Sequence, residues 1–221
     1  NSVLGKLNSW AEINSLLINS RKTKAIFFRT RNVKWVVDVD LVLGGNAIEI
    51  TNVVKTLGVY FKEFMLWDVH IEQLEVKLAR VVGVLRRLKC MLPTRTKLVL
   101  HHALFESHIK YCHLVWGTTT QTNIQKVSIL RKNAVRAIAG ASYSAHTSSL
   151  FSKYRIMNVK VIHQYRVIQL YKSQAHSKIT FLTDLANLQE NTVLHNTRHY
   201  EYWCVPCPRT NYGLQTLRYV L

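Results

Sequence analysis

The sequence predicts an α+β fold, mainly α: a helix with β-hairpins, followed by an α-helical bundle. Three observations carry that expectation. Short β-prone runs alternate with turn signals up to Phe64. From Trp67 onward, apolar residues recur at helical spacing through several long stretches. The chain has 221 residues, 48% of them apolar, which suffices for one good-sized core or two small ones.

Taken in order, residues 1–18 place Val3, Leu4, Leu7, Trp10, Ile13, Leu16 and Leu17 at helical spacing, and Asn19-Ser20 breaks the helix. Lys22 to Arg29 reads as a strand through Ala25-Ile26-Phe27-Phe28. Residues 34–43 are rich in Val and Trp, and Gly44-Gly45-Asn46 turns them into a hairpin. Ile48-Glu49-Ile50 and Val53-Val54 lead into a further strand, Thr56 to Phe61.

From Trp67 to about Leu92 a helical stripe runs through Ile71, Leu74, Leu78, Val81, Val82, Leu85 and Leu88. Pro93 closes that helix and Thr94 is placed to cap the next. A second helix covers residues 95–116, with Leu98, Leu100, Leu104, Ile109, Tyr111 and Trp116 as its heavier apolar groups. A third covers 121–139 and stops at Gly140; shorter helices follow near 146–153 and at 158–175. Trp10, Trp67 and Trp116 read as core anchors. The expected division is 1–65, helix with hairpins; 66–176, helical bundle; and 177–221, a polar, loosely ordered tail carrying Pro206 and Pro208.

Charge sets the function class. Thirty Lys and Arg face twelve Asp and Glu, a formal +18. An excess this large favours a polyanion, nucleic acid before all others. Between residues 69 and 172 the acids are Glu72, Glu75 and Glu106, against a long series of cations. No apolar run reaches the ~18 residues of a membrane span, and no signal segment opens the chain. Cys90 and Cys112 fall in predicted helices among apolar residues, which with Cys204 and Cys207 suits a reducing compartment better than a disulfide framework.

Several motifs, in order, carry a resemblance. Trp10-x3-Asn14-x2-Leu17-x-Asn19-x2-Lys22-Thr23-x3-Phe27 comes first. Lys55-Thr56-Leu57-Gly58-Val59 and Trp67-x2-His70-Ile71-x5-Lys77 follow. Next come Ala103-Leu104-Phe105-Glu106-Ser107-His108-Ile109-x-Tyr111-x4-Trp116-Gly117 and Lys132-x-Ala134-Val135-Arg136-x-Ile138. Asn196-Thr197-Arg198 and Arg209-Thr210-x-Tyr212-Gly213 close the series. Nearly the whole chain therefore resembles the C-terminal palm and thumb of non-LTR (LINE-type) retrotransposon reverse transcriptases, RNA-directed DNA polymerases.

The resemblance implies a palm remnant up to residue 65 with a primer-grip-like hairpin, then a helical thumb along the template–primer duplex. It implies an RNA template and a DNA primer as partners, and the missing fingers and palm of the same polyprotein. It also implies an intracellular setting, nucleus and cytoplasm, for the parent element. The family's metal-binding aspartates lie in earlier palm segments and are absent here. The chain, which opens at Asn1 without Met, is thus expected to be a fragment, inactive alone and binding no cofactor, whereas the full-length enzyme would need Mg2+. Lys22 is an auxiliary candidate near the nucleotide phosphates in the complete enzyme.

The expected nucleic-acid contacts are Leu57 and Gly58 at the primer, and Lys77, Arg80, Arg86, Arg87, Lys110, Arg131, Lys132 and Arg136 at phosphates. In a strand, Gly58 would permit close approach of another backbone. His195-x3-His199-x4-Cys204-x2-Cys207 has the ligand types of a zinc site, but isolated Cys-x2-Cys pairs often carry no metal, and no zinc is expected. His70, His101, His102, His108 and His113 sit on predicted helices as partners for backbone, phosphate or one another. Two other readings stand beside the polymerase fragment: a stand-alone basic nucleic-acid-binding module, and a decayed reading frame without a role.

Overall fold

Glycines at two-residue turns set the first part of the chain. The computed structural model describes residues 1–32 and 39–175, in two units: Asn1–His70, and a second that begins at Ile71. In the first, helix α1 (Ser2–Ile13) precedes a single 3-10 turn at Ser20–Lys22 and strand β1 (Lys24–Ala25). Strands β2 (Val42–Leu43) and β3 (Asn46–Ala47) form the expected hairpin. Gly44 and Gly45 take φ of +57° and +78°, the left-handed pair that matches strand twist. The Asn1 side chain accepts from the Val42 amide and donates to the Asp40 carbonyl, tying this hairpin to the start of α1. Strand β4 (Glu49–Ile50) pairs in parallel with β1, and Lys24 meets Glu49 across that pair at 3.0 Å.

Strands β5 (Val53–Thr56) and β6 (Val59–Lys62) form a second hairpin, Val53 opposite Lys62 and Thr56 opposite Val59. The sequence predicts Thr56 to Phe61 as one strand. The chain instead reverses at Leu57-Gly58, both at positive φ (+48° and +81°). Gly58 takes there a backbone conformation that glycine, without a Cβ, adopts at little cost.

Two more expectations change in this unit. The first helix ends at Ile13 because Ser15 enters the left-handed region. Trp10 is 56% exposed and is no core anchor; Leu17 also faces solvent.

The second unit is helical and built on the predicted stripe. Helix α2 (Asp68–Arg87) buries Ile71, Leu74, Leu78, Val82 and Leu85 on one face. Each such side chain contributes roughly 1.5–3 kcal/mol by leaving water. Cys90 lies beyond this helix and is exposed. Thr94 starts helix α3 (Thr94–Leu100) without capping it.

The predicted second helix is not continuous. After α3 comes a π-helical turn, His101–Glu106, then α4 (Ser107–Lys110). A break follows at Tyr111-Cys112, with Cys112 at φ +48°, before α5 (His113–Trp116). Leu104 and Tyr111 are therefore exposed, whereas Phe105 and Trp116 are fully buried. The Trp116 indole donates to the Tyr111 carbonyl at 2.9 Å, bridging the break. A Cβ at Gly117 would run into the His163 ring, so glycine lets the next helices pack there. Helix α6 (Gln121–Ala139) ends at Gly140 in the left-handed region, as predicted. Helices α7 (Ser148–Lys153) and α8 (Val159–Ala175) complete a mixed but mostly helical fold with small two-stranded sheets. No helix among the described residues is long and apolar enough to cross a membrane.

Candidate functional site

The second unit carries its charge unevenly. Among its described residues the acids are Glu72, Glu75 and Glu106. Glu75 reaches Lys126 at 3.7 Å. Glu106 is buried between Arg131 and Lys110, the latter at 3.3 Å. Two of three acids are thus already partnered, and most of the cations present their charge to solvent.

The expected contact residues separate into three groups. Lys77, Arg80, Arg86 and Arg87 are exposed on α2, and Arg80 and Arg87, seven residues apart, share one line of the helix. Lys77 also lies near His108, whose pKa is held below its ordinary value by burial first and by that ammonium second. Lys132 (exposed) and Arg136 (half-buried) lie four residues apart on α6, away from its buried stripe. Arg86 and Arg136 come together with a third cation, Lys89, in a notch of about 180 Å³ whose walls also include Asn133 and Tyr143.

Arg131 is the clear departure. It is 1% exposed and ion-paired with Glu106, so it belongs to the core and not to a phosphate-binding surface. The sequence held a signal for this. Arg131 falls in the same row as Ile124, Val127, Val135 and Ile138, the buried stripe of α6. Lys110 shares Glu106, which reduces its field toward solvent. In the first unit, Leu57 is 83% exposed at its hairpin tip beside Gly58, and Lys22 is exposed in the 3-10 turn, not in a strand. Lys89, Asn133 and Tyr143 were not among the expected contacts, because only folding brings the ends of α2 and α6 to one place.

The buried histidines do something else. His101 and His113 are 0% and 1% exposed, and neither ring makes a hydrogen bond among the described residues. His101 stacks on Phe105 at 5.1 Å, and His113 packs edge-on against Trp116 at 4.4 Å and His163 at 5.6 Å. Burial pushes their pKa values down to about 4 and about 3, so both rings are neutral at neutral pH.

The magnesium that the sequence resemblance implies for a full-length enzyme finds no match in the described residues. Their only His/carboxylate cluster is His101, His102 and Glu106. Magnesium prefers six oxygen ligands, whereas this set offers two imidazoles and a carboxylate already engaged by Arg131 and Lys110. No catalytic step is assigned to it. His195, His199, Cys204 and Cys207 lie outside the described residues, as do the tail motifs. Compared with known proteins, the chain matches no family model, no curated protein and no solved structure.

Proposed function

We propose that this chain is the palm-and-thumb end of a retrotransposon-encoded RNA-directed DNA polymerase, and that its helical unit holds the template–primer duplex by its phosphates. The observation that carries the reading is the charge of that unit. Among its described residues there are three acids, two of them already partnered, and Lys77, Arg80, Arg87 and Lys132 project from helix faces opposite the core. Phosphates neutralised by such faces release condensed counterions, which gives affinity without base readout. The ordered motifs, from Trp10 through Ile138, are what single out polymerase descent among basic helical proteins. In this reading the partners are an RNA template, a DNA primer and the missing catalytic half, the setting is intracellular, and the hairpin tip at Leu57-Gly58 touches the primer.

The test compares ligands of equal length and charge. An RNA–DNA hybrid and a B-form DNA duplex are titrated against the full chain by fluorescence anisotropy. Tighter binding of the hybrid is expected, because a thumb of this ancestry reads the wide, shallow minor groove of an A-like duplex. Equal affinity for hybrid, DNA and heparin would leave a generic polycation and remove the polymerase reading.

A further inference from the structure

The geometry points to the notch between the ends of α2 and α6 as a seat for a single phosphate group, which we assign to one backbone phosphodiester of a bound polynucleotide. The identity of that anion rests on the nucleic-acid reading above; the chemistry of the seat does not. Arg86, Lys89 and Arg136 converge on a depression of about 180 Å³, and no acid among the described residues lines it. Glu75, the nearest acid along α2, is eleven residues before Arg86, about 16 Å along the helix. Glu106 is buried against Arg131.

Two of the three cations are held in place. The Arg136 Nε donates to the Ala145 carbonyl at 2.9 Å and its Nη1 to the Asn133 Oδ1 at 3.3 Å. Its guanidinium carbon lies 5.8 Å from the centre of the Tyr143 ring. Its Nη2 makes no hydrogen bond among the described residues and remains available. The Lys89 ammonium gives one hydrogen bond to the Ala141 carbonyl at 3.1 Å, leaving two of its three donors. Gly140, at φ +71°, turns the chain so that residues 141–145 wrap the notch. A guanidinium fixed on one edge with donors left over is the arrangement that takes a phosphate oxygen with little ordering cost.

A simpler purpose competes: cations near helix C-termini offset the macrodipole. Magnitudes decide between them. Each helix end carries roughly half a negative charge, so α2 and α6 together supply about one, against three full cations. About two positive charges are left over, and they face no counter-ion among the described residues. One phosphate offsets that remainder.

The test uses two charge-matched double variants of the full chain. Arg86→Gln/Arg136→Gln removes two charges from the notch; Arg80→Gln/Arg87→Gln removes two from the open face of α2. Hybrid-duplex affinity is measured over a salt series. The notch variant is expected to lose at least about tenfold more affinity than the control while its salt slope changes by only about one contact, since a single phosphate is released. Inorganic phosphate, at ionic strength matched with chloride, should compete with duplex on the wild type and not on the notch variant. Equal losses in both variants, with phosphate no better than chloride, would show a diffuse field and overturn the seat. If the hybrid does not bind at all, the polynucleotide assignment fails, and the seat is judged alone by amide NMR with inorganic phosphate. Saturable shifts at Gly140 and Ala141, lost in Arg86→Gln/Arg136→Gln, would sustain a phosphate seat filled by a smaller molecule. Absent shifts would reject it.

Discussion

Acid should loosen the helical unit before it titrates the carboxylates. His101 and His113 are buried without hydrogen bonds to the described residues, with pKa values near 4 and 3 against an ordinary 6.5. Burial dominates for both. Around His101, Glu106 pulls upward, while Arg131, His102 and Lys110 push downward. Around His113, His163, Arg166 and Arg131 all push downward. Each folded-state pKa lies below its unfolded value, so between about pH 6.5 and 4 the unfolded chain binds more protons and stability falls as pH falls. At pH 5 the folded rings are still neutral. The difference between 6.5 and 5, at 1.36 kcal/mol per unit, comes to about 2 kcal/mol per imidazole. Together they cost about 4 kcal/mol, a large share of the 5–15 kcal/mol typical of a domain. His163, also held low by burial, acts in the same direction. The assay is urea unfolding followed by helical circular dichroism at pH 7.5 and pH 5. A midpoint that drops steeply in wild type, and by about half as much in His113→Leu, is expected. A midpoint unchanged or higher at pH 5 would show that these rings are hydrated or hydrogen-bonded, and the burial argument would be wrong.

Other perturbations act on single contacts. Glu106→Gln strands the Arg131 guanidinium in the core and should cost about 3–5 kcal/mol by urea unfolding; adding Arg131→Met should recover most of it. A single-variant cost below about 1 kcal/mol would place Arg131 in water. Leu57→Asn gives the second hairpin an Asn-Gly turn and removes a leucine from a left-handed backbone, so that unit should gain up to about 1 kcal/mol. The same change should weaken hybrid binding if the tip touches primer; unchanged affinity would take Leu57 out of the contact set.

What the sequence disclosed follows from which forces leave periodic traces. The α2 stripe and the α6 stop at Gly140 were readable because burial and glycine capping repeat or punctuate at fixed intervals. The Leu57-Gly58 turn was hidden, since leucine is rarely found at positive φ and the flanking residues all favour strands. Cys112 concealed the break after α4 for the same reason. Trp10, Leu16 and Leu17 kept a helical rhythm that their own unit does not bury. Arg131 was misread by chemistry, not by rhythm: its spacing was that of the core, and its charge argued for the surface. The notch was beyond sequence altogether. Its five polar or charged side chains come from positions 86 to 143, and only the tertiary fold gathers them.

The slope of log affinity against log salt for the full chain on an RNA–DNA hybrid is the most direct measure of the central claim. Lys77, Arg80, Arg87 and Lys132, with the one phosphate shared by Arg86 and Arg136, amount to five phosphate contacts. Five contacts predict a loss of about five-hundredfold between 50 and 200 mM salt. A slope near zero, with binding that survives high salt, would mean that something other than these cations holds the duplex, and the account would not stand.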